Sequence, residues 1–226
     1  MKLLNIFRKK AVMSSYGFQE GNVAYKKRDY KEALRLYNLS AIQGDVVAQY
    51  KLARMYLNGE GVLRNYKEGL KWLRLSAEQG YLYAQNEMGL IYQEGKKVSQ
   101  DYVETVKWYR RAAGQGHAEA QCELGLVYTN GEGVPRDYVE ALKWYRLAAE
   151  QGKASAQFAL GHMYNYGHGV PRDYAEAYAW FSVAAIGGNE YAVKDRDLIA
   201  GELTPTQLSK AQKLATDLHE KFSTRN

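Results

Sequence analysis

The stretch HAEAQCELGLVYTNGEGVPRDYVEALKWYRLAAEQG, from His117 to Gly152, is one copy of a unit that recurs along this 226-residue chain. Its tryptophan and its final glycine both return every 36 residues, at Trp72, Trp108, Trp144 and Trp180 and at Gly80, Gly116, Gly152 and Gly188. Four copies therefore follow one another without a gap, over residues 45–80, 81–116, 117–152 and 153–188. A fixed period of this length predicts stacked units that bury their apolar faces only against one another.

Each copy is predicted to hold two helices. In the quoted copy, small and apolar residues recur every three or four positions in two runs, first Ala120, Leu124, Gly125 and Tyr128, then Tyr138, Ala141, Leu142, Tyr145, Ala148 and Ala149. We name these helix A and helix B. The segment between them contains two glycines and a proline, which predicts a loop. Asp137 is suited to cap helix B, and Glu140 is placed to close a capping box.

The packing of the two helices is predicted from the sizes of their side chains. Gly89, Gly125 and Gly161 on helix A allow a neighbouring helix to approach closely. Each tryptophan is expected to fill the space between helices A and B. On this basis Trp144→Ala would cost about 3 to 5 kcal/mol of stability, as for other buried aromatic side chains.

The two ends of the chain depart from the repeat. Residues 14–44 form a shortened first repeat, and residues 189–226 predict capping helices, with an N-cap at Thr204 and an amphipathic helix from Gln207 to Phe222. Residues 1–13, MKLLNIFRKKAVM, are a basic extension. Three interpretations of it stay open: a frayed end, a short amphipathic helix with weak contact to an anionic membrane, and translation that starts at Met13.

Composition and charge exclude several classes of function. One cysteine excludes an internal disulfide framework, and no apolar run approaches the length that spans a membrane. The net charge of +6 lies in the first 44 residues, which hold nine Lys or Arg and three Asp or Glu; residues 45–226 hold 22 of each. Because the repeats are neutral, they lack the basic stripe that would follow a phosphate backbone, and we expect no nucleic-acid partner.

The repeat resembles the Sel-one-like repeat, a longer-looped relative of the tetratricopeptide repeat. The matching positions in the quoted copy are Ala120, Leu124, Gly125, Tyr128, Gly131, Gly133, Val134, Asp137, Ala141, Trp144, Ala148, Ala149 and Gly152. The resemblance covers residues 45–188 and, with the period, predicts an all-α, right-handed α-solenoid of tetratricopeptide-like helix-turn-helix repeats. The second copy departs from the pattern at Lys97 and at Ser99-Gln100, so its loop is expected to take a different path.

Catalytic, metal and cofactor sites are not predicted. The paired loop glycines, as in Gly131 and Gly133, follow a helix and lack a phosphate-loop continuation, so they indicate helix termination. The four histidines share no metal-ligand spacing. Cys122 and His162 are a conceivable nucleophile and base, but a small buried thiol is the simpler interpretation. We therefore expect a protein that is not an enzyme and that needs no cofactor.

The variable positions of helix A predict a binding groove, provided that helix A lines the concave face as in tetratricopeptide proteins. These positions form three ladders: Tyr50, Asn86, Cys122 and Phe158; Arg54, Leu90, Leu126 and His162; and Leu57, Gln93, Thr129 and Asn165. The ladders mix aromatic, aliphatic and hydrogen-bonding groups with little charge, a composition typical of surfaces that bind a peptide or protein. The alternative is that several of these side chains only pack between adjacent A helices.

The expected function is a noncatalytic scaffold or adaptor that binds a peptide or protein partner on the concave face. The resemblance implies a bacterial adaptor, which we expect to be cytoplasmic. Two alternatives stay open: an immunity or chaperone-like partner of a toxin, and a hydrolase that uses polar residues of the groove. The oligomeric state is not predicted.

Overall fold

The computed structural model describes residues 17–223, and over this range the chain consists of twelve helices without a strand. The first helix, α1, covers residues 17–26. The others are α2 (Tyr30–Ile42), α3 (Val46–Asn58), α4 (Tyr66–Glu78), α5 (Leu82–Glu94), α6 (Tyr102–Gly114), α7 (Ala118–Asn130), α8 (Tyr138–Glu150), α9 (Ala154–Tyr166), α10 (Tyr174–Ile186), α11 (Glu190–Glu202) and α12 (Pro205–Ser223). The basic extension predicted for residues 1–13 lies outside the described residues.

The helices form two compact units. The first unit contains α1 to α5 and ends at Gln100, and the second contains α6 to α12 and begins at Asp101. Within the first unit α2 to α5 each pack against the next helix in the chain, within the second unit α6 to α11 do so, and α12 packs on α10. The prediction of two helices per copy is confirmed, and the all-α helical repeat follows from it.

The helix caps confirm one half of the predicted capping box and correct the other. The side chain of Asp137 accepts hydrogen bonds from the backbone N–H groups of Val139 and Glu140 at the start of α8. The backbone N–H of Asp137, however, donates to the carbonyl of Tyr128. Glu140 instead accepts a hydrogen bond of 3.1 Å from the indole Nε1 of Trp144. The glutamate thus positions the tryptophan of its own repeat rather than closing the cap.

The same glutamate contact recurs in two other copies. The indoles of Trp108 and Trp180 donate to Glu104 at 3.0 Å and to Glu176 at 3.1 Å. Because the two residues are four apart on one helix, they share a face and can meet without a change of backbone. The spacing was visible in the sequence, but a glutamate three residues after an N-cap is equally suited to both roles.

The loop glycines end helix A, as predicted. Gly131 and Gly167 cap α7 and α9 with left-handed φ values of 78° and 71°. The second glycine of each loop lies against the helix B of the preceding repeat: a Cβ on Gly169 would lie 2.6 Å from the carbonyl oxygen of Tyr138. Lys97 stands at this position in the second copy and does not adopt a positive φ. The expected change of loop path is therefore confirmed at Lys97.

Aromatic rings of helix B pack against glycines of helix A in the same repeat. A Cβ on Gly125 would lie 2.7 Å from the ring of Tyr145, and one on Gly161 would lie 2.5 Å from the ring of Phe181. Both rings are buried. The close approach predicted at these glycines is thus confirmed, and glycine is required because any side chain would displace a packed ring.

A buried glutamine in each helix A joins the repeats, and sequence reasoning missed it. Each side-chain Nε2 donates to the carbonyl of the residue eight positions earlier, near the end of the preceding helix B, in the pairs Gln49 to Ala41, Gln85 to Ala77, Gln121 to Ala113 and Gln157 to Ala149. These bonds satisfy carbonyls that a helix end leaves without an intrahelical partner. The glutamine recurs with the 36-residue period, so the signal was present in the sequence.

The tryptophans are not equivalent, which corrects the expectation that each fills the space between its helices. Trp108 is 2% exposed and Trp180 is also buried, whereas Trp72 and Trp144 are only partly buried. Trp144 therefore buries less surface than predicted. The full loss of stability expected for truncation of a buried aromatic side chain applies to Trp108 instead.

The C-terminal helices have the predicted amphipathic arrangement. Thr204 and Gln207 close a reciprocal capping box, since the backbone N–H of Thr204 donates to the Gln207 side chain and that of Gln207 donates to the Thr204 hydroxyl. Ala211 of α12 is fully buried, and Phe222 stacks on Trp180 with ring centroids 5.9 Å apart. The helix thus covers the apolar surface of α10.

Candidate interaction surfaces on the A helices

In the first unit, four of the predicted groove residues line one cleft. Tyr50 and Arg54 of α3 and Asn86 and Leu90 of α5 surround an open cleft of about 290 Å³. We call this cleft, with Tyr83 and Glu87, the first surface. Leu90 and Tyr83 are exposed, and the other members combine aromatic and polar groups.

The charged groups of the first surface lie around Tyr50. Burial of the Tyr50 phenol and the nearby carboxylate of Glu87 raise its pKa to about 12, against the opposing effect of Arg54. The guanidinium of Arg54 also lies 6.0 Å from the centre of the Tyr50 ring. The phenol therefore stays neutral between the charges of Arg54 and Glu87, which act on each other, so the first surface is locally balanced in charge.

In the second unit, the predicted groove residues Phe158 and His162 of α9 lie beside α11. The ring of His162 makes T-shaped contacts with Phe158 and Phe181, with ring centroids 4.5 Å and 5.1 Å apart. It stacks on the ring of Tyr166 at a centroid distance of 5.8 Å. Its Nε2 lies 3.2 Å from a carboxylate oxygen of Asp195 on α11. We call Phe158, His162, Tyr166, Tyr191, Asp195 and Leu198 the second surface.

His162 is held in its neutral form. Burial lowers the pKa of the imidazole, and the charge of Asp195 opposes this only in part. The Nδ1 atom is buried and forms no hydrogen bond within the described part of the chain. Protonation would place an N–H donor there without an acceptor, whereas a bare ring nitrogen costs less. Nε2, which lies near the Asp195 carboxylate, is therefore the nitrogen that carries the proton.

The two surfaces occupy the same register of the repeat. Tyr50, Arg54, Tyr83, Glu87 and Leu90 correspond, 108 residues later, to Phe158, His162, Tyr191, Asp195 and Leu198. Both surfaces have the same type of side chain, aromatic, acidic or aliphatic, at four of these five positions. The basic position differs, because arginine in the first surface is replaced by a neutral histidine in the second.

The remaining groove candidates differ in exposure, and most of them are partly or fully covered. Leu57 is 4% exposed and packs beneath Gly69 of α4, so its expected place in the groove is wrong. Gln93 is partly buried and its carbonyl accepts from Gln100. In the second unit, Leu126 is exposed, Asn165 is partly buried, and Thr129 donates to the Gly125 carbonyl at 2.9 Å. The leucine packs inward because residue 57 lies on the face of α3 that meets α4.

Cys122 is placed for packing between A helices rather than for catalysis. The thiol is 8% exposed and lies 3.3 Å from the Ser155 hydroxyl. Burial raises its pKa, which disfavours the thiolate that a nucleophilic cysteine requires. His162, its candidate base, is paired with Asp195 instead. The arrangement gives no support to a cysteine hydrolase.

No group of three His, Cys, Asp or Glu side chains within residues 17–223 is arranged to hold a metal ion. None of the described helices combines the length and the apolar character needed to cross a bilayer.

The neutral state of His162 predicts a specific dependence of stability on pH. Its pKa is lowered in the folded chain, so the unfolded chain binds the proton more tightly. The resulting stability is present above the ordinary histidine pKa of about 6.5 and is lost as the pH falls below it. We expect the melting temperature of the wild type to fall more between neutral and mildly acidic pH than that of His162→Gln. Equal falls, measured by circular dichroism in matched buffers, would contradict the burial of Nδ1; His117 titrates in both proteins and cancels.

Comparison with known proteins identifies the family. The Sel1 repeat model matches residues 12–45, 46–81, 82–117, 118–153 and 154–189, and the chain belongs to the Sel1 repeat family. The predicted resemblance is confirmed, and with it the helical-repeat solenoid class. Members of this family are generally noncatalytic scaffolds suited to protein binding.

Solved structures with the same fold support the assignment. A protective antigen present in uropathogenic Escherichia coli, which displays an SLR fold, is 36% identical, with a TM-score of 0.83 over 94% of this chain and 46% of its own length. The chain thus spans about half of that protein. A Sel1 repeat protein from Oxalobacter formigenes is 31% identical, with a TM-score of 0.76 over 89% of this chain and 84% of its own. An immunity protein from Pseudomonas aeruginosa is 18% identical, with a TM-score of 0.50 over 90% and 82%. No match was found among curated proteins.

Proposed function

We propose that the chain is a noncatalytic scaffold that binds a peptide or protein partner through its A-helix surfaces. The observation that carries the proposal is the cleft of the first unit, which brings Tyr50, Arg54, Asn86 and Leu90 together. These residues vary among the copies, whereas the positions that build the helices recur. Residues that are not needed to pack the helices together can contact a partner.

The chemistry of the cleft suits a polypeptide. It combines exposed apolar groups on Tyr83 and Leu90 with the hydrogen-bonding side chain of Asn86 and a guanidinium on Arg54. Aromatic residues and arginine are enriched where protein interfaces concentrate their binding energy. A partner segment would bury the apolar groups and hydrogen-bond to the polar ones. The proposal requires no cofactor. Its placement in the cytoplasm stays a prediction of the sequence.

A capture experiment with a matched control tests the proposal. One variant carries Arg54→Ala, Tyr83→Ala and Leu90→Ala on the A helices, and the control carries Arg35→Ala, Leu39→Ala and Leu75→Ala on the B helices of the same unit, where these side chains are also exposed. Proteins captured from a lysate of the source organism are identified, purified and titrated by calorimetry. We expect the first variant to bind at least about ten-fold more weakly than the wild type and the control to bind within about two-fold of it.

The opposite pattern would overturn the proposal. If the B-helix control loses the partner while the A-helix variant retains it, recognition lies on another face. Both variants are first shown to be folded by circular dichroism, so that a loss of binding reports on the surface rather than on stability.

A narrower form of the proposal is an immunity protein that neutralises a toxin. It is motivated by the likeness to the immunity protein from Pseudomonas aeruginosa, which at 18% identity supports the fold alone. The capture experiment decides between the two forms. A captured protein that is toxic when expressed alone, and harmless when expressed with this chain, would establish the narrower one.

A further inference from the structure

The negative charge of Asp195 has no basic partner in the second surface. Its carboxylate lies 3.2 Å from Nε2 of the neutral imidazole of His162, which brings no charge. Arg196 pairs with Asp197 at 2.7 Å instead. Over residues 17–223, no lysine or arginine forms an ion pair with Asp195. In the first surface, by contrast, the charge of Arg54 balances that of the equivalent Glu87.

Exposed aromatic and aliphatic groups surround this carboxylate. Tyr191 and Leu198 lie one turn before and one turn after Asp195 on the same face of α11, and they are 77% and 62% exposed. Tyr166 stacks on His162 and is 62% exposed. Large apolar side chains exposed together around one charge indicate a binding site rather than an ordinary solvated surface.

We propose that the second surface binds an arginine side chain of a protein partner, with the guanidinium on Asp195 and its aliphatic stem on Leu198. A carboxylate accepts two parallel hydrogen bonds from a guanidinium, and tyrosine rings attract its flat cationic face. The partner thus supplies the positive charge that Arg54 supplies within the first surface. This inference rests on the proposed function, because it names the chemistry that one of the two surfaces recognises.

His162 makes this recognition sensitive to pH. The imidazole faces Phe181 on α10 and Asp195 on α11, and Phe158 and Tyr166 on its own helix. Of the described groups, Asp195 is the charged one that acts on its titration. Protonation of His162 at acidic pH would place a positive charge against Asp195, as Arg54 does beside Glu87. Binding of the arginine therefore weakens as the pH falls, whereas arginine itself keeps its charge throughout.

The test uses the full chain and a defined probe, the peptide acetyl-Ala-Leu-Arg-Leu-Ala-amide. Its control contains citrulline in place of arginine, which has the same shape without the charge. Binding is followed by NMR through the backbone amide groups of α11, which every variant retains. We expect saturable shifts with the arginine peptide near pH 7.5 and an affinity for the citrulline peptide that is at least about five-fold lower. Acidification to near pH 5.5 weakens binding to the wild type but not to His162→Gln.

Variants of the site separate the carboxylate from its neighbours. Asp195→Asn is expected to lose at least about five-fold in affinity, while Asp197→Asn, which removes a nearby exposed carboxylate, leaves binding unchanged. Leu198→Lys is a second variant in case Asp195→Asn fails to fold. It introduces a positive charge at an exposed position next to Asp195 and is expected to abolish binding.

Three results would overturn the inference: equal binding of the two peptides, full binding by Asp195→Asn or Leu198→Lys, or no saturable shift with the arginine peptide. The proposed function can survive each of them, because it is tested separately by the loss of the captured partner in the Arg54, Tyr83 and Leu90 variant.

Discussion

Gly169→Ala is expected to lower the free energy of unfolding by about 2 to 4 kcal/mol. The residue adopts a left-handed φ of 72°, and its would-be Cβ lies 2.6 Å from the carbonyl oxygen of Tyr138 and 3.0 Å from the backbone nitrogen of Val139. The backbone conformation costs about 1 to 2 kcal/mol for a residue with a side chain. The remainder comes from the clash, since backbone atoms at the start of α8 cannot move aside as a flexible side chain would.

Gly152→Ala is the matched control. Gly152 also adopts a left-handed φ, of 81°, but a Cβ there would meet nothing within 4 Å. It should therefore show only the conformational cost, about 1 to 2 kcal/mol. Both variants are unfolded in urea and followed by circular dichroism. Equal midpoints for the two variants would show that the loop does not press on the preceding repeat.

Trp108→Ala is expected to cost about 3 to 5 kcal/mol, and Trp144→Ala about half as much. The two indoles make the same hydrogen bond, to Glu104 at 3.0 Å and to Glu140 at 3.1 Å. They differ in burial, since Trp108 is 2% exposed and Trp144 is only partly buried. The difference between the variants therefore measures burial and cavity formation at constant hydrogen bonding.

Urea unfolding followed by circular dichroism at 222 nm measures both tryptophan variants without relying on the fluorescence that they lose. A conservative pair, Trp108→Phe and Trp144→Phe, should show the same order with smaller losses. If Trp144→Ala were as costly as Trp108→Ala, the partly buried ring would contribute through contacts that its exposure does not reveal, and the order of burial would not predict stability.

Much of the fold could be predicted from the sequence because its determinants are local. The cap at Asp137 depends on residues no more than three positions away, and the end of α7 depends on the backbone conformation of Gly131 alone. The 36-residue period then multiplies each local signal, so that a cap found in one copy is found in the others. The pattern of covered residues on α12 was likewise set by helical periodicity alone, with Ala211 on the inner face.

The candidate site was predicted less well, because it depends on contacts between repeats. The ladders named Tyr50, Arg54, Asn86 and Leu90, which do share a cleft, but they also named Leu57, which is buried. Position within a repeat predicts the direction in which a side chain points. Whether that side chain is buried or exposed depends on the residues of the neighbouring helix. Asp195 was missed because the copy that contains it departs from the repeat.

The sequence by itself determined the repeat, its helices, their caps and the glycines that end them, since each is decided by backbone conformation and by neighbours a few residues away. Tertiary structure decided which tryptophans are buried, that Glu140 binds Trp144 rather than the helix end, and that His162 meets Asp195. Each of these outcomes was open in the sequence, because a side chain with two suitable partners takes the one that packing brings within reach.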